Sequence, residues 1–196
     1  MTRLVIGLLL TLTLFGCSKL NLERPSDPFG DFRLGHIAVY GEDITKGPFS
    51  RDATDDEIKG ALYVALQQQL GQYTGNGEYH VVAIVDAYTL GKPGIPLVFS
   101  PQTALGFRLS VWDSQTMTRF DLTPEKLLFL ENANRRTLFG SGLRQTREEQ
   151  IVSLTQSVAQ QIDTWLRQQH AIKGWFDPNT EVHKYSLGEI EAAMIE

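Results

Sequence analysis

YHVVAIVDAYTL, residues 79–90, is the stretch on which the fold turns. It is rich in β-branched and aromatic residues and apolar on both alternations through its middle. A strand with one wet face alternates apolar with polar, so a run apolar on both sides predicts a central strand covered on both faces. Asp86 interrupts the run and raises its one functional question, because a buried carboxylate must be paired or have its pKa raised. A position at a strand end or sheet edge would answer that question without any activity.

Downstream, Gly91-Lys92-Pro93-Gly94-Ile95-Pro96 is a clear break that reads as a stiff connector. Apolar Leu97, Val98 and Phe99 follow it, which makes Lys92, Pro93, Ile95 and Pro96 the candidate partner-facing loop. In the segment from Leu105 to Asp113, Leu105, Phe107, Leu109 and Val111 share one face while Arg108 and Ser110 share the other, predicting a half-exposed strand. Asp113-Ser114-Gln115-Thr116 has turn chemistry, and Thr118 to Leu122 would return as the hairpin partner. Glu125 to Glu131 fits a short helix or a strand, and Leu138-Phe139 fits a strand ending at Gly140-Ser141-Gly142.

Two capping boxes frame the helices. Thr54-Asp55-Asp56-Glu57 and Thr146-Arg147-Glu148-Glu149 each place a hydroxyl three residues ahead of a carboxylate, the spacing at which each side chain satisfies the other's free backbone donor. Ile58, Leu62, Ala65, Leu66, Leu70 and Tyr73 then form one stripe, ended by Gly71, Gly75 and Gly77. Ile151, Leu154, Val158, Ile162, Trp165 and Leu166 form the other. The acids Asp52, Asp55 and Asp56 compensate a helix dipole more readily than they hold a cation. Leu34 to Tyr40 reads as a first strand, followed by a loop, 41–52, that holds Gly47 and Pro48. The expected fold is an α+β (or α/β) sandwich: a mixed sheet of about four or five strands packed by two long amphipathic helices.

With 42% hydrophobic and 21% charged residues, the 196-residue chain can bury a real core. Four histidines, His36, His80, His170 and His183, are scattered without a local pair, so no metal set is expected. Gly-x-Ser-x-Gly, His-Glu-x-x-His, phosphate-loop and Rossmann signatures are absent, so no catalytic residue and no cofactor is assigned. Trp112-Asp113 comes without a repeat of propeller length.

Residues 1–16 begin with Arg3, continue through apolar Leu4 to Phe15 and end on Gly16, the layout of a signal peptide. At about 12 residues the apolar run is shorter than the roughly 20 that cross a bilayer. Without Arg3, 17 basic residues face 23 acidic ones, a net charge of −6. That balance, with Arg135-Arg136 as the only basic pair, argues against a nucleic-acid partner. The chain has one cysteine, Cys17, directly after the leader, so no internal disulfide can form.

Leu14-Phe15-Gly16-Cys17 resembles the lipobox of bacterial lipoproteins. The resemblance implies cleavage before Cys17 and acylation of Cys17, which would bind the lipid bilayer. Ser18 rather than Asp after the cysteine implies the outer membrane. The stretches Asp55 to Leu70, His80 to Leu90, Phe107 to Thr116 and Glu148 to Leu166 resemble the periplasmic α/β domains of outer-membrane assembly lipoproteins. These include the activators of penicillin-binding proteins, the curli secretion lipoprotein and the amino-terminal domain of the Tol system. The same stretches are similar to short alphaproteobacterial lipoproteins of unknown function. The domain plan is a signal peptide at 1–16, lipidated cysteine and tether at 17–33, a periplasmic domain at 34–170, and a C-terminal extension at 171–196 that includes a possible short helix from Ser186 to Ile195. The expected role is a non-catalytic interaction or assembly module that binds an envelope protein. The alternatives are a carrier of an apolar or glycan ligand, which a large closed pocket would favour, and an unconventional hydrolase, which a cleft holding Asp86 beside a histidine would favour.

Overall fold

The computed structural model describes residues 29–92, 103–130 and 146–195. Its elements are β1 (Phe32–Tyr40), β2 (Thr45–Lys46), α1 (Asp55–Leu70), β3 (Gly77–Thr89), β4 (Ala104–Asp113), β5 (Thr118–Arg119), β6 (Glu125–Leu130), α2 (Arg147–Lys173) and α3 (Leu187–Ala193). They form an α+β fold around an open mixed sheet. β3 lies at its centre, parallel to β1 and β2 on one side and antiparallel to β4 on the other; β4 also pairs with β5 and β6. Among the described residues the sheet has six strands rather than four or five, because β2 and β5 are two residues each, too short to carry an alternation.

Both capping boxes form: Thr54 accepts from the Glu57 amide at the start of α1, and Thr146 from the Glu149 amide at the start of α2. Ser186 and Glu189 repeat the arrangement ahead of α3. The two long helices run parallel. Arg147 of α2 grips Glu57 of α1 at one end, and Arg167 of α2 reaches Tyr73, just past α1, at the other. Between them and the sheet lies the core, with Ile58, Leu62, Leu66, Leu154, Val158 and Ile162 against Val81, Ala83, Leu105 and Leu109.

Among the described residues the helices cover one face of the sheet only, and this corrects the expectation for β3. Tyr79, Val81, Ala83 and Val85 are buried, whereas His80, Val82 and Ile84 on the opposite side are only half-buried. Apolar residues on both alternations fix the chemistry of both faces, but they do not supply a second layer of helices. Residues 125–130 resolve as a strand, with Leu127 and Phe129 turned to the core.

Two boundaries also move. β1 begins at Phe32, and Phe29 and Phe32 are buried in an aromatic cluster with Tyr73, Tyr79 and Phe176. The segment assigned to a tether up to Arg33 is therefore part of the fold from Phe29 onward. At the other end, α2 runs to Lys173 and stops at Gly174, whose φ of 72° is the left-handed cap that glycine adopts without strain. Trp175 and Phe176 then return to the core, and the Phe176 carbonyl accepts from the Asp31 amide at 2.7 Å. Adjacent aromatics without periodicity carry no helix or strand signal, which is why the tail looked detachable.

The molecule thus has two poles. At the first, β1 and β3 start and both long helices end, beside Phe29 and the C-terminal segment. At the second, both helices start, next to Ser50 and Leu90.

Candidate functional site

The sheet face that no described helix covers is built by strand pairing. Register places Tyr40 beside Ile84, Ala38 beside Val82, Arg108 beside Ile84, Ser110 beside Val82, Trp112 beside His80, and Lys126 beside Arg108. Side chains at paired positions share a face, so these residues form one surface. Its rim bears exposed aromatic and aliphatic groups: Tyr40 is 60% exposed and Leu128 65%.

Asp86 stands in the middle of this face, and the reason is local. The β3–β4 register shifts between Val85 and Ala87, so Asp86 is the extra residue of a β-bulge. The bulge turns it outward, where it is exposed. Arg108 meets it as a fork, with Nε 3.1 Å from both carboxylate oxygens and Nη2 2.8 Å from Oδ1. The hydrogen bond to Asp86 holds the Arg108 proton more firmly than usual. Asp86 is therefore neither buried nor at a strand end: it is a paired carboxylate on a surface.

Beside the pair lies an open cleft of about 460 Å³ lined by Tyr40, Gly41, Glu42, Lys59, Asp86 and Arg108, among others. Lys59 closes one wall, donating to the Gly41 carbonyl at 3.3 Å and lying 3.0 Å from Asp56. Arg108, and not a histidine, is the neighbour of Asp86 in this cleft. A second open groove of about 250 Å³ runs between β6 and α2, over Phe107, Leu127 and Trp165.

His36 and His80, 44 residues apart in sequence, come together with ring centroids 5.0 Å apart. The parallel β1–β3 pairing causes this, and a local search for paired histidines could not have found it. The His36 amide donates to His80 Nδ1 at 3.0 Å, which places the His80 proton on Nε2. Among the described residues no group of three or more His, Cys, Asp or Glu side chains is placed to hold a metal ion, and no helix is long and apolar enough to cross a membrane.

Of the candidate partner loop, Lys92 is described and exposed; Pro93, Ile95 and Pro96 lie outside the described residues, as do Cys17 and the Arg135-Arg136 pair. Beside Lys92 the structure adds a residue the sequence did not single out. Phe49 is exposed with φ of 56°, in a loop fixed by the Ser50–Gly91 bridge and by the Gly47 amide donating to the Tyr88 carbonyl at 2.7 Å. A bulky residue at positive φ is a local strain, and no sequence pattern marks it.

No protein-family model matches the chain, and no curated protein matches its sequence. Among solved structures it is similar to a hypothetical protein from Chlamydia trachomatis, at 10% identity and a TM-score of 0.38 over 70% of this chain and 96% of the other. It is also similar to a Xanthomonas campestris protein of family model DUF330, at 11% identity and a TM-score of 0.40 over 80% of this chain and 93% of the other. A minor lipoprotein from Acinetobacter baumannii aligns at 17% identity and a TM-score of 0.28 over 69% of this chain and 94% of the other. Likenesses this distant assign neither a family nor a function to the chain.

Proposed function

We propose that the chain is a lipid-anchored envelope protein that works as a non-catalytic interaction module, presenting the uncovered face of its sheet to a protein partner. The observation that carries this reading is the one-sided coverage among the described residues: two long helices pack on one face, and the other keeps Tyr40, Ile84, Trp112 and Leu128 around the Asp86–Arg108 pair. Tyr40, Trp112 and a central arginine are residue types enriched at protein-binding surfaces. As a stabilising device the ion pair contributes little, because exposed pairs are worth about 0–1 kcal/mol. Anchoring rests on the leader and on Leu14-Phe15-Gly16-Cys17, and Ser18 supports the outer membrane as the destination.

Labelling tests both parts. Cells fed a clickable fatty acid should label the wild-type chain and not the Cys17→Ala variant; label persisting in that variant would make the uncleaved leader the anchor. Ser18→Asp should move the chain to the inner-membrane fraction, and an unchanged fractionation would remove the outer-membrane assignment. With Cys17 acylated, Leu128→Cys supplies a single thiol on the open face. It should react with a maleimide in the purified protein and be protected in intact envelopes, whereas equal reactivity in both would contradict a docked face.

A further inference from the structure

The first pole carries more than the end of the tether. Ile172, at the end of α2, Leu187, Met194 and Ile195, in and after α3, and Met117, in the β4–β5 turn, are exposed by 55 to 86%. Their backbones are tied to that pole. Phe176, four residues past Ile172, accepts from the Asp31 amide, and Tyr185, two residues before Leu187, pairs with Arg119 in both directions at 2.7 and 2.8 Å. Arg119 lies two residues from Met117.

Cys17 is twelve residues before Phe29, the first described residue of this pole. Twelve residues span at most about 43 Å, and less in any conformation short of full extension. β3, thirteen residues long, separates the poles by about 40 Å. A chain anchored at Cys17 thus keeps the start of its first pole within about 43 Å of the bilayer, whereas its second pole can lie up to a domain length farther.

We propose that the exposed apolar groups of the first pole rest in the bilayer interface, so that the domain stands on its membrane instead of swinging freely from the lipid. This rests on anchoring at Cys17. Ile190, the buried residue of α3, holds the helix to the protein, while Leu187, Met194 and Ile195 remain for the lipid. Exposed apolar side chains gathered at one end of a tethered domain gain from burial at the headgroup boundary, and each adds to the hold of the acyl chains.

The test uses the chain from Cys17 to Glu196, produced without its leader and coupled through its single thiol to a maleimide lipid in phosphatidylcholine vesicles. Tryptophan is introduced by Ile172→Trp or Met194→Trp at the first pole and by Phe49→Trp at the second. Emission is compared with the parent chain in plain and in brominated lipid. The added emission at 172 and 194 should fall by about half or more in brominated lipid, while that at 49 stays unchanged, as expected for burial of about 5–10 Å at the interface. Equal quenching at all three positions, or none at 172 and 194, would overturn the proposal. Because the lipid is attached chemically, this result is independent of acylation in the cell. A mass spectrum of the natural chain lacking acyl groups on Cys17 would overturn the anchoring instead.

Discussion

Tyr73 shows what a single buried hydroxyl does in this fold. It donates to Asp163, Arg167 Nη2 donates back to it at 2.7 Å, and Arg167 Nε reaches the second oxygen of Asp163 at 3.1 Å. Burial, and then the hydrogen bond to Asp163, push the phenol from its ordinary 10 up to about 12. A raised pKa means that the fold favours the neutral phenol. The contribution is therefore complete below about pH 10 and is lost as pH rises toward 12. Tyr73→Phe should cost about 1 kcal/mol at neutral pH and reduce the loss of stability on the alkaline side. Denaturant midpoints measured from neutral to strongly alkaline pH check both. Burial raises Tyr79 to about 12 as well, so the double variant with Tyr79→Phe should flatten the alkaline side further. Neither residue could be placed in a network from sequence, since Tyr73 and Asp163 are 90 positions apart. Asp86 was visible as an interruption, but its outward turn was not, because a bulge is a property of the pairing of two strands and not of either alone.

At the scale of elements, the hinge between the helices is Arg147. Two parallel helix starts place like partial charges side by side, and Arg147 binds Glu57 with contacts of 2.6 and 2.8 Å while Glu57 also serves the Thr54 cap. Those bonds, led by Arg147, lower Glu57 from 4.5 to about 2. A lowered carboxylate contributes its stability above pH 4.5 and loses it as pH falls toward 2, so Arg147→Ala should shrink the acid-induced loss in that window. Acid titration of the helical circular dichroism is the measurement. Val158 faces the fully buried side of α2, and Val158→Asp should cost more than about 3 kcal/mol by placing an unpaired charge there. A leaderless chain carrying it that kept the wild-type melting temperature would refute the docking of α2. Both long helices and the strands β1, β3 and β4 were legible because a capping box marks each helix, while an alternation marks β4 and runs of β-branched and aromatic residues mark β1 and β3. β2 and β5 were not, since two paired residues leave no period. The end of α2 and the return of Trp175 and Phe176 depend on tertiary burial that no local pattern records.

At the scale of the whole molecule, the described residues form a sheet with helices on one side, and the chain before Phe29 leads back to Cys17. The leader led to the expectation of an exported domain, and the run at residues 79–90 indicated two apolar faces; what it could not tell is that both long helices would choose the same one. The half-buried face left over carries the functional reading, and the test belongs there. A photo-crosslinking residue is placed at Tyr40, on the open face, and separately at Gln160, exposed on α2, in cells with an intact envelope. Irradiation should give discrete crosslinked species from position 40 and none from position 160. Arg108→Glu should weaken the former without changing the melting temperature. No adduct at position 40, or the same adducts from both positions, would contradict the account.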